Sequence, residues 1–220
     1  MADAGAKPRR VLVFGGTFDP PHTAHARLPR LAGERLGCEQ ILYVPAAINP
    51  LKAEGPTASA DHRIAMLVMS LADVPQAKIS TIEIDRPGPS YTIDTLRALR
   101  DQFGRDVELR LLIGSDQALE FDRWKDWREV LKLATPAVML RPPWNEATFR
   151  EALKNKYGET DAAQWTKWTL FPGEGLPLMD VNATEVRRRL HAGESLDGLI
   201  DPAVAGYIRA NRLYGDAGKR

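Results

Sequence analysis

Apolar and polar positions along this chain follow two rhythms. Short apolar runs rich in β-branched and aromatic residues predict strands at 10–14, 40–44, 78–82, 108–113, 136–140 and 169–171. Between most of them apolar residues recur at helical spacing, most clearly in "ADHRIAMLVMSLA" and "TIDTLRALRDQF". In the first of these, Ile64, Met66, Leu67 and Met69 are read as core. Strands alternating with amphipathic helices imply an α/β fold, a parallel sheet covered on both faces. Ligands of such sheets sit beyond the carboxyl ends of the strands, where a loop enters a helix.

The 220 residues suit one domain spanning 1–220, with solvated tails near 1–8 and 216–220 and no internal repeat. Thirty Lys and Arg against 29 Asp and Glu give a formal charge of +1, which argues against nucleic acid or an anionic membrane as partner. Any basic site is therefore local. Cys38 is the lone cysteine, so no intrachain disulfide can form. The run "VLVF" is too short for a signal-peptide core or a membrane span, and a cytoplasmic protein is expected. A homo-oligomer is left open.

The first strand leaves through "FGGTFDPPHTAH". This stretch has neither the G-x-G-x-x-G of a dinucleotide fold nor the G-x-x-x-x-G-K-[ST] of a P-loop. Gly15 and Gly16 remove side chains where a phosphate or ribose can approach backbone. Pro20 and Pro21 stiffen the return into a helix beginning near His22 or Thr23. The i,i+3 spacing puts His22 and His25 on one face of its first turn, where free N–H groups and the positive helix end favour an anion. Pro29 lies inside the same helix and removes the hydrogen bond to the His25 carbonyl, so a kink costing about 3 kcal/mol is expected.

"GGTFDPPHTAH" resembles the GGTFDPPHxGH signature of the bacterial nicotinate-nucleotide adenylyltransferases, in the H-x-G-H nucleotidyltransferase superfamily. Further motifs follow in that family's order from about residue 10 to 215, and the resemblance implies a Rossmann-like doubly wound parallel sheet. It makes Gly15, Gly16, Thr17, Phe18, His22 and His25 nucleotide-binding residues. Ala24 replaces the motif's glycine, and its methyl could crowd the nucleotide. Asn49 and Lys52 resemble the N-P-x-K segment near the mononucleotide; Lys52 is either a phosphate's point charge or an ordinary loop lysine.

In "GPSYTIDTL" Ser90 or Thr92 can cap a helix, and the family brings this stretch to the nicotinate ring, which makes Tyr91 and Thr92 substrate candidates. Asp116, after Gly114 in "IGSD", caps the next helix or accepts from ribose hydroxyls, as the resemblance implies. Trp124 and Trp127 sit three apart, as two aromatics on one buried face would; the family's F-x-x-W makes Trp124 the stacking candidate and leaves Trp127 to the core. "NATEVRRRL" resembles the family's S-S-T-E-I-R with Asn182 and Ala183 in place of the serines, while Thr184 and Arg187 are kept. Asn182 and Glu185 also form an N-terminal capping pattern, and Arg188 and Arg189 are read as solvated.

The span 141–168 is a polar helical insertion between two late strands, readable as lid, oligomer contact or decoration. "LIDPAVAGYIRANRLYG" resembles the family's closing helix.

The resemblance implies adenylyl transfer from ATP to nicotinate mononucleotide in NAD biosynthesis, with His22, His25 and Arg187 catalytic and ATP and nicotinate mononucleotide as partners. Mg²⁺ is expected bound with ATP, and the four histidines show no zinc spacing. Nicotinamide mononucleotide or phosphopantetheine as acceptor, and a nucleotide-binding regulator without catalysis, are the competing readings.

Overall fold

The structure is a computed structural model that describes residues 9–48, 50, 55–173 and 176–215. Among these, six strands form one parallel sheet: β1 (Arg10–Gly16), β2 (Gln40–Pro45), β3 (Ala77–Ile79), β4 (Glu108–Gly114), β5 (Thr135–Met139) and β6 (Thr169–Leu170). Their spatial order is β3-β2-β1-β4-β5-β6, the doubly wound order of a Rossmann-like sheet. The helices are α1 (Thr23–Leu36), α2 (Ala60–Ser70), α3 (Thr92–Phe103), α4 (Ser115–Leu119), α5 (Trp127–Leu133), α6 (Glu146–Trp168), α7 (Ala183–Ala192) and α8 (Pro202–Ala210). None is long and apolar enough to cross a membrane.

Alternation along the strands divides the core. Val11 and Val13 of β1, with Leu109, Leu111 and Ile113 of β4, pack on one face against Ile93, Leu96 and Leu99 of α3. Leu12 and Phe14 point the other way, to Ala24, Leu28 and Ala32 of α1. A third cluster joins Met66 of α2 to Val186 of α7 and Val204 and Ile208 of α8. Met66 and Leu67 are buried as read, while Ile64 and Met69 are half-covered.

Four stretches differ from that reading or fill it out. β3 stops at Ile79 instead of reaching Ile82, because the chain closes a turn in which the Asp85 N–H reaches the Thr81 carbonyl at 2.8 Å. Helix α1 runs through Pro29 as one element, and the carbonyl that Pro29 cannot serve accepts a hydrogen bond from the Tyr43 hydroxyl at 3.1 Å. Trp124 and Trp127 do not share a helix: Trp124 ends a 3₁₀ turn at Phe121–Arg123, and Asp126 at φ 51° breaks the chain before α5. The 141–168 insertion is a crossover between β5 and β6, whose Phe149, Leu153, Ala162 and Trp165 are buried on the sheet. The non-helical Gly158 (φ 77°, ψ 169°) lets α6 bend over it.

Candidate functional site

β1 stays paired with β2 as far as Gly16 but leaves β4 after Val13, so a crevice opens at the switch between the two halves of the sheet. Gly15 and Gly16 stand at its edge for different reasons. A Cβ on Gly16 would lie 2.9 Å from the Phe18 ring, whereas one on Gly15 would meet nothing nearer than the Val44 carbonyl at 4.0 Å. Gly16→Ala is therefore expected to destabilise by about 1–3 kcal/mol through overpacking. Gly15→Ala should melt like the wild type yet bind nucleotide at least about tenfold more weakly, its methyl occupying the crevice; melting curves and ATP titrations of both variants check the contrast.

On one side of residues 15–18 lies a cleft of about 550 Å³ lined by Thr17, Phe18, Asp19, His22, His25, residues 55–57, Arg141, Asn182, Ala183, Thr184 and Arg187. The rings of His22 and His25 stack at 3.6 Å and 23°. Nδ1 of His25 accepts the His22 backbone N–H at 3.1 Å, so neutral His25 carries its proton on Nε2. Part of the α1 start is already engaged: the Thr23 N–H also donates, to the Leu199 carbonyl at 2.8 Å. The helix end that faces the cleft is that of α7, with Asn182 as its cap, accepting from the Glu185 N–H at 2.9 Å. Nη1 of Arg187 donates to the Asp19 carbonyl at 2.6 Å, which aims the guanidinium. Arg188 and Arg189 are occupied by Glu185 and Glu194 on the surface. Ala24 is buried against the sheet, with Leu28 and Ala32, and is not among the residues lining this cleft or the neighbouring cavity.

His22 is buried and its Nδ1 finds no partner. Burial, aided by the charge of Arg141, pushes its pKa down to about 3. The unfolded chain takes up this proton below about pH 6.5, while the folded chain does so only near pH 3. Folding stability is thus complete above about pH 6.5 and falls by up to about 1.4 kcal/mol per pH unit between there and the folded value near 3. Urea unfolding at pH 7, 6 and 5 should show this slope, and His22→Asn should reduce it; other groups that titrate there, the raised Glu83 carboxyl among them, are common to both proteins, so the difference between the two reports His22.

Across residues 15–18 is a second cavity, of about 260 Å³, lined by Gly15, Gly16, Pro50, Glu83, Ser90, Tyr91, Thr92, Thr95, Gln117 and Trp124 among others. Tyr91, not Ser90 or Thr92, occupies the N-cap position of α3, without a side-chain cap bond, while the Ser90 hydroxyl accepts the Ala47 N–H at 3.0 Å and ties the two loops together. The Trp124 ring stacks on Phe121 at 4.8 Å, and its buried Nε1 has no partner. Glu83 accepts from the Thr95 hydroxyl at 2.6 Å. Burial pushes its carboxyl above the usual range, opposed by hydrogen bonds from Thr95 and Ser90 and by the charge of Arg86.

Gly114 occupies the N-cap position of α4, and Asp116, itself exposed, lies in the first turn instead of at the cap. A Cβ on Gly114 would collide with the Asp116 carboxylate and stand 3.3 Å from Nε of Arg141, so the three meet beside the cleft. Asn49 and Lys52 lie outside the described residues. Among the described residues no group of three or more His, Cys, Asp and Glu side chains is arranged to hold a metal.

Sequence reasoning missed three residues. Arg141 enters the cleft from the end of β5. Asp19, nearly fully buried, accepts from the Thr57 N–H at 2.6 Å, the Ala58 N–H at 3.1 Å and the Tyr214 hydroxyl at 2.6 Å. Arg63, inside an apolar helical pattern, donates to the carbonyls of Thr17 and Ala46 at 2.7 and 2.8 Å. An arginine on the buried stripe of α2 was the only available signal.

A doubly wound sheet whose switch-point crevice holds a donor-rich cleft and a second cavity has the architecture of nucleotide-binding α/β proteins. A model of the cytidylyltransferase-like family matches residues 13–189. A probable nicotinate-nucleotide adenylyltransferase of Chromobacterium violaceum is 41% identical over 211 residues, covering 93% of this chain and 98% of that one. Its counterpart in Bordetella pertussis is 36% identical over the same shares. The nicotinic acid mononucleotide adenylyltransferase of Plasmodium falciparum complexed with NaAD superposes with a TM-score of 0.70 over 94% of this chain and 97% of that one, at 16% identity. The chain belongs to the cytidylyltransferase-like family and, within it, to the nicotinate-nucleotide adenylyltransferases.

Proposed function

We propose that this chain transfers the adenylyl group of ATP to nicotinate mononucleotide, giving nicotinate adenine dinucleotide and pyrophosphate. A phosphate oxygen of the acceptor attacks the α-phosphorus, and the bond from that phosphorus to the oxygen bridging to the β-phosphate breaks. The observation that carries this reading is the pair of cavities on either side of residues 15–18, one rich in cationic and N–H donors, the other built from an aromatic ring and the start of α3.

The nucleophile is already about −1.5 to −2 in charge at neutral pH, so no strong base is needed. Positioning and charge stabilisation carry the rate. His25, through Nε2–H, and His22 hold the phosphates and the charge that develops on them. Arg187, Thr184 and the start of α7 take the β- and γ-phosphates, with Arg141 beside them. Gly15, Gly16, Thr17 and Phe18 bring backbone close to the nucleotide, and Gly114 and Asp116 receive its ribose. Asn49 and Lys52 serve the acceptor's phosphate, while Tyr91, Thr92 and Trp124 receive its ring. Mg²⁺ is part of the substrate Mg-ATP, in keeping with a donor set of imidazoles and guanidinium.

Glu83 favours a second reading, since a buried carboxyl lining the acceptor cavity suits a neutral amide and opposes a second carboxylate. Purified protein with Mg-ATP is incubated separately with nicotinate mononucleotide, nicotinamide mononucleotide and phosphopantetheine, and pyrophosphate and the adenylylated product are measured. The nicotinate product should dominate. Dominance of the amide product overturns the acceptor assignment, and ATP binding without pyrophosphate from any acceptor marks a regulator.

A further inference from the structure

We propose that Tyr43 is a positioning residue for the histidine pair: its hydroxyl supplies the hydrogen bond that Pro29 withholds from the His25 carbonyl. The catalytic part of this inference rests on the reaction proposed above; the structural part does not.

Four residues before a helical proline, a carbonyl loses its N–H partner and is pushed outward by the proline ring. Here that carbonyl belongs to His25, and Pro29 is itself buried. The hydroxyl that answers it comes from β2. Tyr43 is fully buried, donates to the His25 carbonyl at 3.1 Å, and is held edge-on by Phe14 at 5.7 Å. Phe14 and Phe18 in turn touch the His25 ring at 5.9 and 5.0 Å. The backbone and the ring of His25 are therefore fixed from one aromatic group, and through its Nδ1 so is the His22 N–H. Proline makes the outward tilt of the carbonyl permanent, and tyrosine turns that tilt into an anchor on the sheet.

The test is a cycle of wild type, Tyr43→Phe, Pro29→Ala and the double variant. Tyr43→Phe should lower kcat about tenfold with KM for ATP within about twofold, because a displaced positioning group is felt mainly in the transition state. Pro29→Ala restores a backbone N–H to the same carbonyl, so alone it should leave kcat within about twofold and in the double variant recover most of the loss. Melting temperatures should show the same non-additivity. A wild-type kcat in Tyr43→Phe, or a double variant as impaired as Tyr43→Phe, overturns the inference. Should Tyr43→Phe not fold, recovery of folding in the double variant supports it and failure to recover overturns it. If the wild type itself makes no product, the proposed reaction falls alone; the melting cycle then decides the role of Tyr43, with additive losses overturning it.

Discussion

We expect His25→Ala to lower kcat by about 10²–10³-fold while the protein stays folded and KM for ATP changes little. The argument runs from the tautomer. Because Nδ1 of His25 accepts the His22 N–H, the proton of the neutral ring sits on Nε2, on a side chain that lines the donor-rich cleft. A fixed donor of this kind strengthens as charge moves onto the phosphoryl oxygens, so its loss falls on the transition state more than on bound ATP. Alanine also frees the His22 N–H and removes the stacked partner of a buried imidazole. The structural cost is limited, since His25 is only half-buried and the strands beneath it are untouched. A melting temperature lowered by a few degrees, about 1–2 kcal/mol, is expected. Steady-state kinetics beside a thermal melt separates the two effects, and a folded variant turning over at the wild-type rate would remove His25 from the mechanism.

What the sequence revealed was what depends on short-range periodicity. β1, β2 and β4 begin where the apolar runs begin, and α3 spans the twelve residues of "TIDTLRALRDQF", because alternation and helical spacing report which face meets the core. His22 and His25 were legible as a pair for the same reason: three residues at the start of a helix place two rings together. Legibility ended where a role depends on a partner far along the chain. Pro29 reads as a helix breaker until Tyr43 is seen beneath His25, and Arg141 looks like the start of an insertion until β5 carries it beside His22. The N–H groups at the start of α1 were expected to be open because local geometry leaves them so, yet the Leu199 carbonyl arrives from beyond α7 to take one. Trp127 packs on the same core cluster as Trp124, as read, but from a separate helix, because the left-handed Asp126 breaks the spacing that linked them.

Asp19 is the extreme case, and it carries the largest stability prediction. It stands inside the signature loop, where a sequence reader sees loop punctuation, and it binds a tyrosine 195 residues away. One buried carboxylate accepts from Tyr214 and Ala58 through Oδ1 and from Thr57 through Oδ2, while its own backbone carbonyl aims Arg187. The charge of Asp19 also steadies the guanidinium of Arg63, which is almost wholly buried and itself holds the Thr17 and Ala46 carbonyls. Asp19→Ala leaves two backbone N–H groups and a phenol without an acceptor, at about 1–3 kcal/mol for each group that water cannot reach. It also leaves a buried cation less balanced. Allowing for relaxation, a loss of about 4 kcal/mol and about 10 °C in melting temperature is expected. Tyr214→Phe removes a donor and leaves the carboxylate two others, so it should cost only about 1 kcal/mol. In the Asp19→Ala background it should cost nothing further, because the acceptor is already gone. Residues 55–57 line the cleft, so the same variant should bind ATP weakly even where it remains folded. A melting temperature within about 2 °C of wild type, too small for even one stranded donor, would show that Asp19 does not join the signature loop, the 55–58 loop and the turn that follows α8 into one support for the cleft.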